Sequence, residues 1–116
     1  MSINTIVYSW KRSLPGRERL SASHFREFSE FLDRMRQDGL VASFEPIFLE
    51  PNGANLGGFF LIKGEDEKLG QMLDRPEWRE HVIRSMTHLD EPLLSYGASG
   101  DMARQWMDIW LAKLPP

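Results

Sequence analysis

The run Phe59-Phe60-Leu61-Ile62 constrains this chain more than any other stretch. Bounded by Gly57-Gly58 and Lys63-Gly64, it is too short and too apolar for a surface helix and reads as a buried strand. Successive side chains of a strand point to opposite faces, so Phe59 and Leu61 lie on one side and Phe60 and Ile62 on the other. Both faces of this strand therefore call for cover, as they do in sheets packed on two sides.

After this strand the chain reads as helical, with an interruption. Glu65 to Leu73 forms one piece, and Asp74 or Arg75 to Leu89 forms a second. The break is expected because Pro76 disfavours helical dihedrals in the residue before it while suiting a first helical turn itself. Asp74 can accept from an orphan amide, with Glu77 three residues on as in a capping box. In the second piece Trp78, Val82, Ile83, Met86 and Leu89 form the expected buried stripe, with Arg75, Arg79, Glu80 and Arg84 outside.

Upstream, Asn4 to Trp10 alternates Ile6, Tyr8 and Trp10 with Thr5, Val7 and Ser9, the period of a strand. Lys11 to Leu20 is a basic loop turning at Pro15-Gly16, read as a solvated surface. From Ser21, a candidate N-cap, the positions Phe25, Phe28, Leu32 and Met35 recur at helical spacing until Gly39 ends the helix. A second strand spans about Val41 to Leu49. Its Pro46 cannot donate to a ladder and so belongs at a sheet edge or bulge. Pro51-Asn52-Gly53 turns the chain back into the apolar strand, making the two antiparallel neighbours. A fourth strand comes after Pro92, and Asp101 can cap a short terminal helix carrying Met102, Trp106, Ile109 and Trp110 on one face.

The order is β-α-β-β-α-β plus a C-terminal helix, an α+β, ferredoxin-like pattern with a four-stranded antiparallel sheet in the order 4-1-3-2. Right-handed crossovers place both main helices on one face of that sheet. The other face is left bare, although the apolar strand wants it covered. A length of 116 residues fits one domain, 1–116.

Composition removes several function classes. Fourteen basic against seventeen acidic side chains leave a net charge of −3, which is no footprint for nucleic acid. The absence of cysteine rules out disulfides, thiolate metal sites and a cysteine nucleophile. The beginning of the sequence has no signal-peptide pattern and no run reaches membrane length, so a soluble cytoplasmic protein with no membrane contact is expected.

The element order, the strand with two apolar faces and the run from Gly64 to Val82, with Pro76-Glu77-Trp78-Arg79 opening its second helix, resemble the dimeric α/β-barrel superfamily. The resemblance spans nearly the whole chain. It implies a homodimer formed by packing two bare sheet faces together. Its members include cofactor-independent monooxygenases of the antibiotic-biosynthesis type, polyketide cyclases, isomerases, stress-responsive proteins and haem-degrading monooxygenases, so it leaves the reaction unassigned. The haem-degrading branch would place its ligating histidine at Val82 and its helper tryptophan near Met72. This chain carries neither residue, and no cofactor is expected.

Candidate chemistry rests on the imidazoles, because only they titrate near neutrality unperturbed. His81, one helical turn from Trp78 and beside the apolar stripe, is the candidate acid–base residue. Tyr8, Trp10, His24 and Trp78 are the candidate ligand-binding residues, at the wall of an apolar space between the sheet and the two main helices. Each also has a plainer reading, as a half-exposed helix histidine or a core aromatic. His81 and His88, seven residues apart, stand about 10 Å apart on a helix, too far to chelate one metal, so no metal site is expected. Two functions fit this reading. One is a cofactor-independent enzyme or binder of a small apolar, aromatic or polyketide-like molecule. The alternative is a non-catalytic dimer whose core is filled by its own side chains. A cavity reaching both a strand aromatic and an imidazole discriminates between them.

Overall fold

The computed structural model describes residues 2–116. Its strands are β1 (Thr5–Trp10), β2 (Arg12–Ser13), β3 (Ser43–Phe48), β4 (Gly58–Lys63), β5 (Leu89–Asp90) and β6 (Leu93–Gly97). Its helices are α1 (Glu18–Gln37), α2 (Asp66–Leu73), α3 (Pro76–Ser85) and α4 (Gly100–Ala112). The four long strands form one antiparallel sheet in the order β3-β4-β1-β6, compatible with a ferredoxin-like arrangement. Pro46 lies in β3, an edge strand paired among the described residues with β4 alone, where its missing N–H leaves no ladder bond unmade. No helix among the described residues is long and apolar enough to cross a membrane.

Strand register assigns the two sheet faces. Pro46, Phe60, Tyr8 and Leu94 line up across the sheet on one side, with Phe44, Ile62, Ile6 and Tyr96 beside them. This face packs on the helices: Ile6, Ile62, Phe31, Leu32, Leu69 and Met72 are all fully buried. Each such burial contributes about 1.5–3 kcal/mol relative to exposure. Ile47, Phe59, Ser9 and Leu93 cross the sheet on the other side, with Glu45, Leu61, Val7 and Ser95 in the adjacent row. Phe60 is therefore the core residue of the pair, and Phe59 belongs to the outer face.

The helices differ from expectation at their ends, for local reasons. α1 starts at Glu18 with Arg17 at its N-cap, because Gly16 adopts φ 82° and the Leu14–Arg17 turn launches the helix three residues before Ser21. Arg12 and Ser13, within the expected loop, pair with Leu89 and Asp90 as a separate two-stranded ladder. Asp74 is not the N-cap of α3. It closes α2 in helical conformation, and Arg75, extended at φ −71° and ψ 136° before Pro76, takes the N-cap place. The expected interruption thus falls at Asp74-Arg75.

α3 ends at Ser85 and not at Leu89, and Glu91, at φ 52°, helps turn the chain into β6. Its buried face is also rotated from the expected stripe. Trp78 and Ser85 are buried, whereas Ile83 is 57% and Met86 65% exposed. Polar side chains turn inward on this helix because His81 and Ser85 find hydrogen-bond partners there. α4 begins after Ser99 instead of being capped by Asp101, and it buries none of its residues. Trp106, Ile109 and Trp110 stand exposed along it.

Candidate functional site

Between the inner sheet face and α1 lies a pocket of about 390 Å³. Its floor and walls are aromatic: Trp10 and Phe60 from the sheet, Phe25 and Phe28 from α1, and Phe48 at the rim. The rings hold one another, with centroids 4.9 Å apart for Phe28–Phe60, 5.0 Å for Phe25–Phe60 and 5.9 Å for Trp10–Phe60. Offset and edge contacts of this kind add specific geometry to the burial of large rings. Gly58 makes room for the floor. A Cβ there would come within 2.8 Å of the Trp10 indole and 2.6 Å of the Ile47 carbonyl oxygen, so only glycine lets the indole lie flat across the strand.

One end of this apolar space is polar, formed by Tyr8, Ser13, Ser21, His24, Ser85 and His88. Tyr8 comes from the middle of β1, and its phenol is hydrogen-bonded to Ser85 Oγ, whose own O–H reaches the Val82 carbonyl at 2.6 Å. Burial pushes the Tyr8 phenol above its ordinary range, so it stays protonated at neutral pH.

The three histidines of the chain form one hydrogen-bonded line. Ser13 donates to Ser21 Oγ at 2.5 Å, and Ser21 Oγ meets His88 Nδ1 at 2.7 Å. His88 Nε2 meets His24 Nδ1 at 2.7 Å, and His24 Nε2 meets His81 Nδ1 at 3.0 Å. His24 and His88 are buried, at 4% and 3% exposure, while His81 is half-buried. The His24 and His81 rings stack with planes 9° apart, and the His24 and His88 rings meet edge-on at 88°. Ion pairs from Arg84 to Glu27 and from Arg34 to Glu77 tie α3 to α1 on either side of His81.

Burial, with the Arg84 guanidinium adding to it, lowers the basicity of all three imidazoles, His24 to about 4. They are therefore neutral at pH 7, each with one N–H and one lone pair. His24 turns its two nitrogens toward different neighbours on opposite edges of its ring, so no single ion can gather all three imidazoles. Among the described residues no cluster of three or more His, Asp or Glu side chains has metal-holding geometry.

The structure brings Tyr8, Trp10 and His24 together on the pocket wall. It does not place His81 or Trp78 there. Trp78 lies behind the wall, its ring 5.8 Å from Phe28 and 6.3 Å from Tyr8, and His81 reaches the pocket only through His24. Comparisons with protein-family models, with curated proteins and with solved structures return no match.

Sequence reasoning misses Ser13, Ser21, Ser85 and His88. A signal exists for Ser21, which precedes His24, Phe25 and Phe28 at spacings of three, four and seven and so shares their helix face. None exists for His88, whose position depends on where α3 stops and on the β2–β5 ladder that carries the Leu14 N–H to its carbonyl at 2.8 Å. The sequence places His24 in a first turn, half-exposed. With α1 starting at Glu18 it lies in the second turn, facing the core.

Proposed function

We propose that this protein is a homodimeric, cofactor-independent enzyme or binder for a small apolar, aromatic molecule, held in the pocket between α1 and the sheet. The observation that carries the reading is a 390 Å³ aromatic pocket with neutral imidazoles at one end, the composition expected of a small-molecule site. A core filled by its own side chains would leave no such volume, which favours ligand binding over a purely structural role. Flat rings can stack on Trp10 and Phe60, and a hydroxyl or carbonyl at the edge of the ligand can meet Ser21, His88 and His24. The neutral imidazoles offer a lone pair and an N–H to such a group.

Dimerisation is supported by the outer sheet face. Phe59, Leu61, Val7 and Ile47 line it half-buried, with Leu93 exposed beside them. The molecule is only 20 Å across its thinnest direction, the depth of two layers. Its radius of gyration of 15.8 Å exceeds the roughly 13 Å of a compact chain this long. A second copy, sheet against sheet, buries this face in a closed, self-complementary contact.

The ligand reading is tested by thermal shift against phenols, naphthols, aromatic acids and quinones, where a binder raises Tm in proportion to the logarithm of its concentration. A panel without a single concentration-dependent shift would overturn it. Light scattering at micromolar concentration should return a mass near twice 13.5 kDa.

A further inference from the structure

We propose that Ser21, His88, His24 and His81 form a proton relay joining the pocket to solvent. The line begins at Ser21 Oγ, on the pocket wall, and runs through His88 and His24 to His81 Nδ1. His81 opens on a separate surface depression with Glu27, Glu30, Asp33 and Arg34, and its Nε2 has no protein partner among the described residues. The two ends of the line thus face different spaces, and every link between them is a direct hydrogen bond.

Only two proton arrangements satisfy all links between neutral rings. In the first, the Ser21 hydroxyl donates to His88 Nδ1, His88 Nε2–H donates to His24 Nδ1, and His24 Nε2–H donates to His81 Nδ1. All three rings are then Nε2–H tautomers, and the last Nε2–H faces the surface. In the second, all three are Nδ1–H tautomers and every bond points back toward Ser21, which accepts from His88. One proton entering His88 Nδ1 from Ser21 moves one proton across each link and releases one from His81 Nε2, converting the first arrangement to the second with no net charge left on the three rings. Ser21 is made whole by a proton from the bound molecule, which is left in the pocket as its oxyanion.

This inference deepens the pocket reading and rests on it for the source of the proton. It narrows the ligand to one with an ionisable O–H at the edge of an aromatic or conjugated ring, a phenol or an enol. The lowered basicity of the three rings suits the role, since a ring that held a charge at neutral pH would block the line. The charged groups that face it are Glu27, Glu30, Asp33 and Arg34 from α1, around His81, and Glu77 and Arg84 from α3, with Arg84 acting on all three rings.

The relay is tested without ligand, on 15N-histidine-labelled protein, by NMR. At pH 7.5 the three rings should share one tautomeric sense, and the ring N–H protons of His24 and His88 should exchange with water at a common rate. His81→Gln keeps a hydrogen-bonding group beside His24 Nε2 but cannot pass a proton, and it should slow that exchange by about tenfold or more. A merely structural histidine would be replaced by glutamine without this effect. His81→Phe serves as the second blocked variant, and dispersed methyl resonances verify the fold of each. Opposed tautomers in neighbouring rings, or exchange unchanged in both variants, would overturn the relay. Either result leaves the thermal-shift test of the pocket untouched, so the two failures are distinguishable.

Discussion

Acidification should destabilise this protein well above the pH at which its carboxylates protonate, and His24 sets the size of the effect. In the unfolded chain His24 titrates near 6.5, and in the folded protein near 4, because burial and the Arg84 guanidinium penalise the imidazolium. Between those values the unfolded chain binds more protons than the folded one, so stability falls as pH drops below 6.5 and is flat above it. At pH 5 the loss from His24 alone works out to about 2 kcal/mol, rising to about 3 kcal/mol below pH 4. His81 and His88, also lowered, act in the same direction. Glu27 and Asp33 are held below the ordinary carboxylate range by Arg84 and Arg36, so their contribution is lost only at more acidic pH. The assay is urea unfolding followed by tryptophan fluorescence at pH 7.5 and pH 5.0, at one protein concentration because the stability of the proposed dimer would depend on it. His24→Asn should remove about 2 kcal/mol of the difference between the two pH values. Equal stability of the wild type at both pH values, or an undiminished difference in His24→Asn, would refute the reasoning.

Four substitutions probe the fold around the site. Leu32→Ala, at a fully buried position of α1, should cost about 2–5 kcal/mol in the same urea assay. Gly58→Ala should displace the Trp10 indole, cost about 1–3 kcal/mol and shift tryptophan emission, as overpacking against a fixed ring requires. Phe59→Asp should halve the light-scattering mass from near twice 13.5 kDa while keeping the subunit folded, whereas Phe60→Asp should unfold it.

The sheet is legible in the sequence because its signals are local. Alternation in β1, the proline in β3, the Asn52-Gly53 turn and the double-faced β4 each carry their own physical cause, and the strand order expected of the β-α-β-β-α-β pattern agrees with the edge position of Pro46. The break before α3 is legible for the same reason, since Pro76 acts on its immediate neighbour. The facing of α3 is not. Apolar periodicity puts Ile83 and Met86 inside, but the helix turns His81 and Ser85 inward because Tyr8 and His24, distant in sequence, satisfy them. The site shares that fate. Tyr8, Trp10 and His24 can be picked out as residue types at an apolar wall, yet the expected stripe favours His81 over His88. The two-residue ladder of β2 and β5, which holds His88 at the pocket, has no periodicity to detect. α4 presents the reverse case: a convincing apolar face in the sequence that the single subunit leaves uncovered.

The central claim is that the aromatic pocket receives a small apolar molecule, and it is tested most directly by titrating 2-naphthol into 15N-labelled protein while following the Trp10 indole N–H and the His24 and His88 ring nitrogens. Ala22, exposed at the pocket, provides the control, since Ala22→Trp can fill the space without touching the core. The account expects saturable shifts at Trp10, His24 and His88 in the wild type and their loss in Ala22→Trp. Shifts of equal size in both proteins, or none in the wild type for naphthol, aromatic acid and quinone alike, would contradict it.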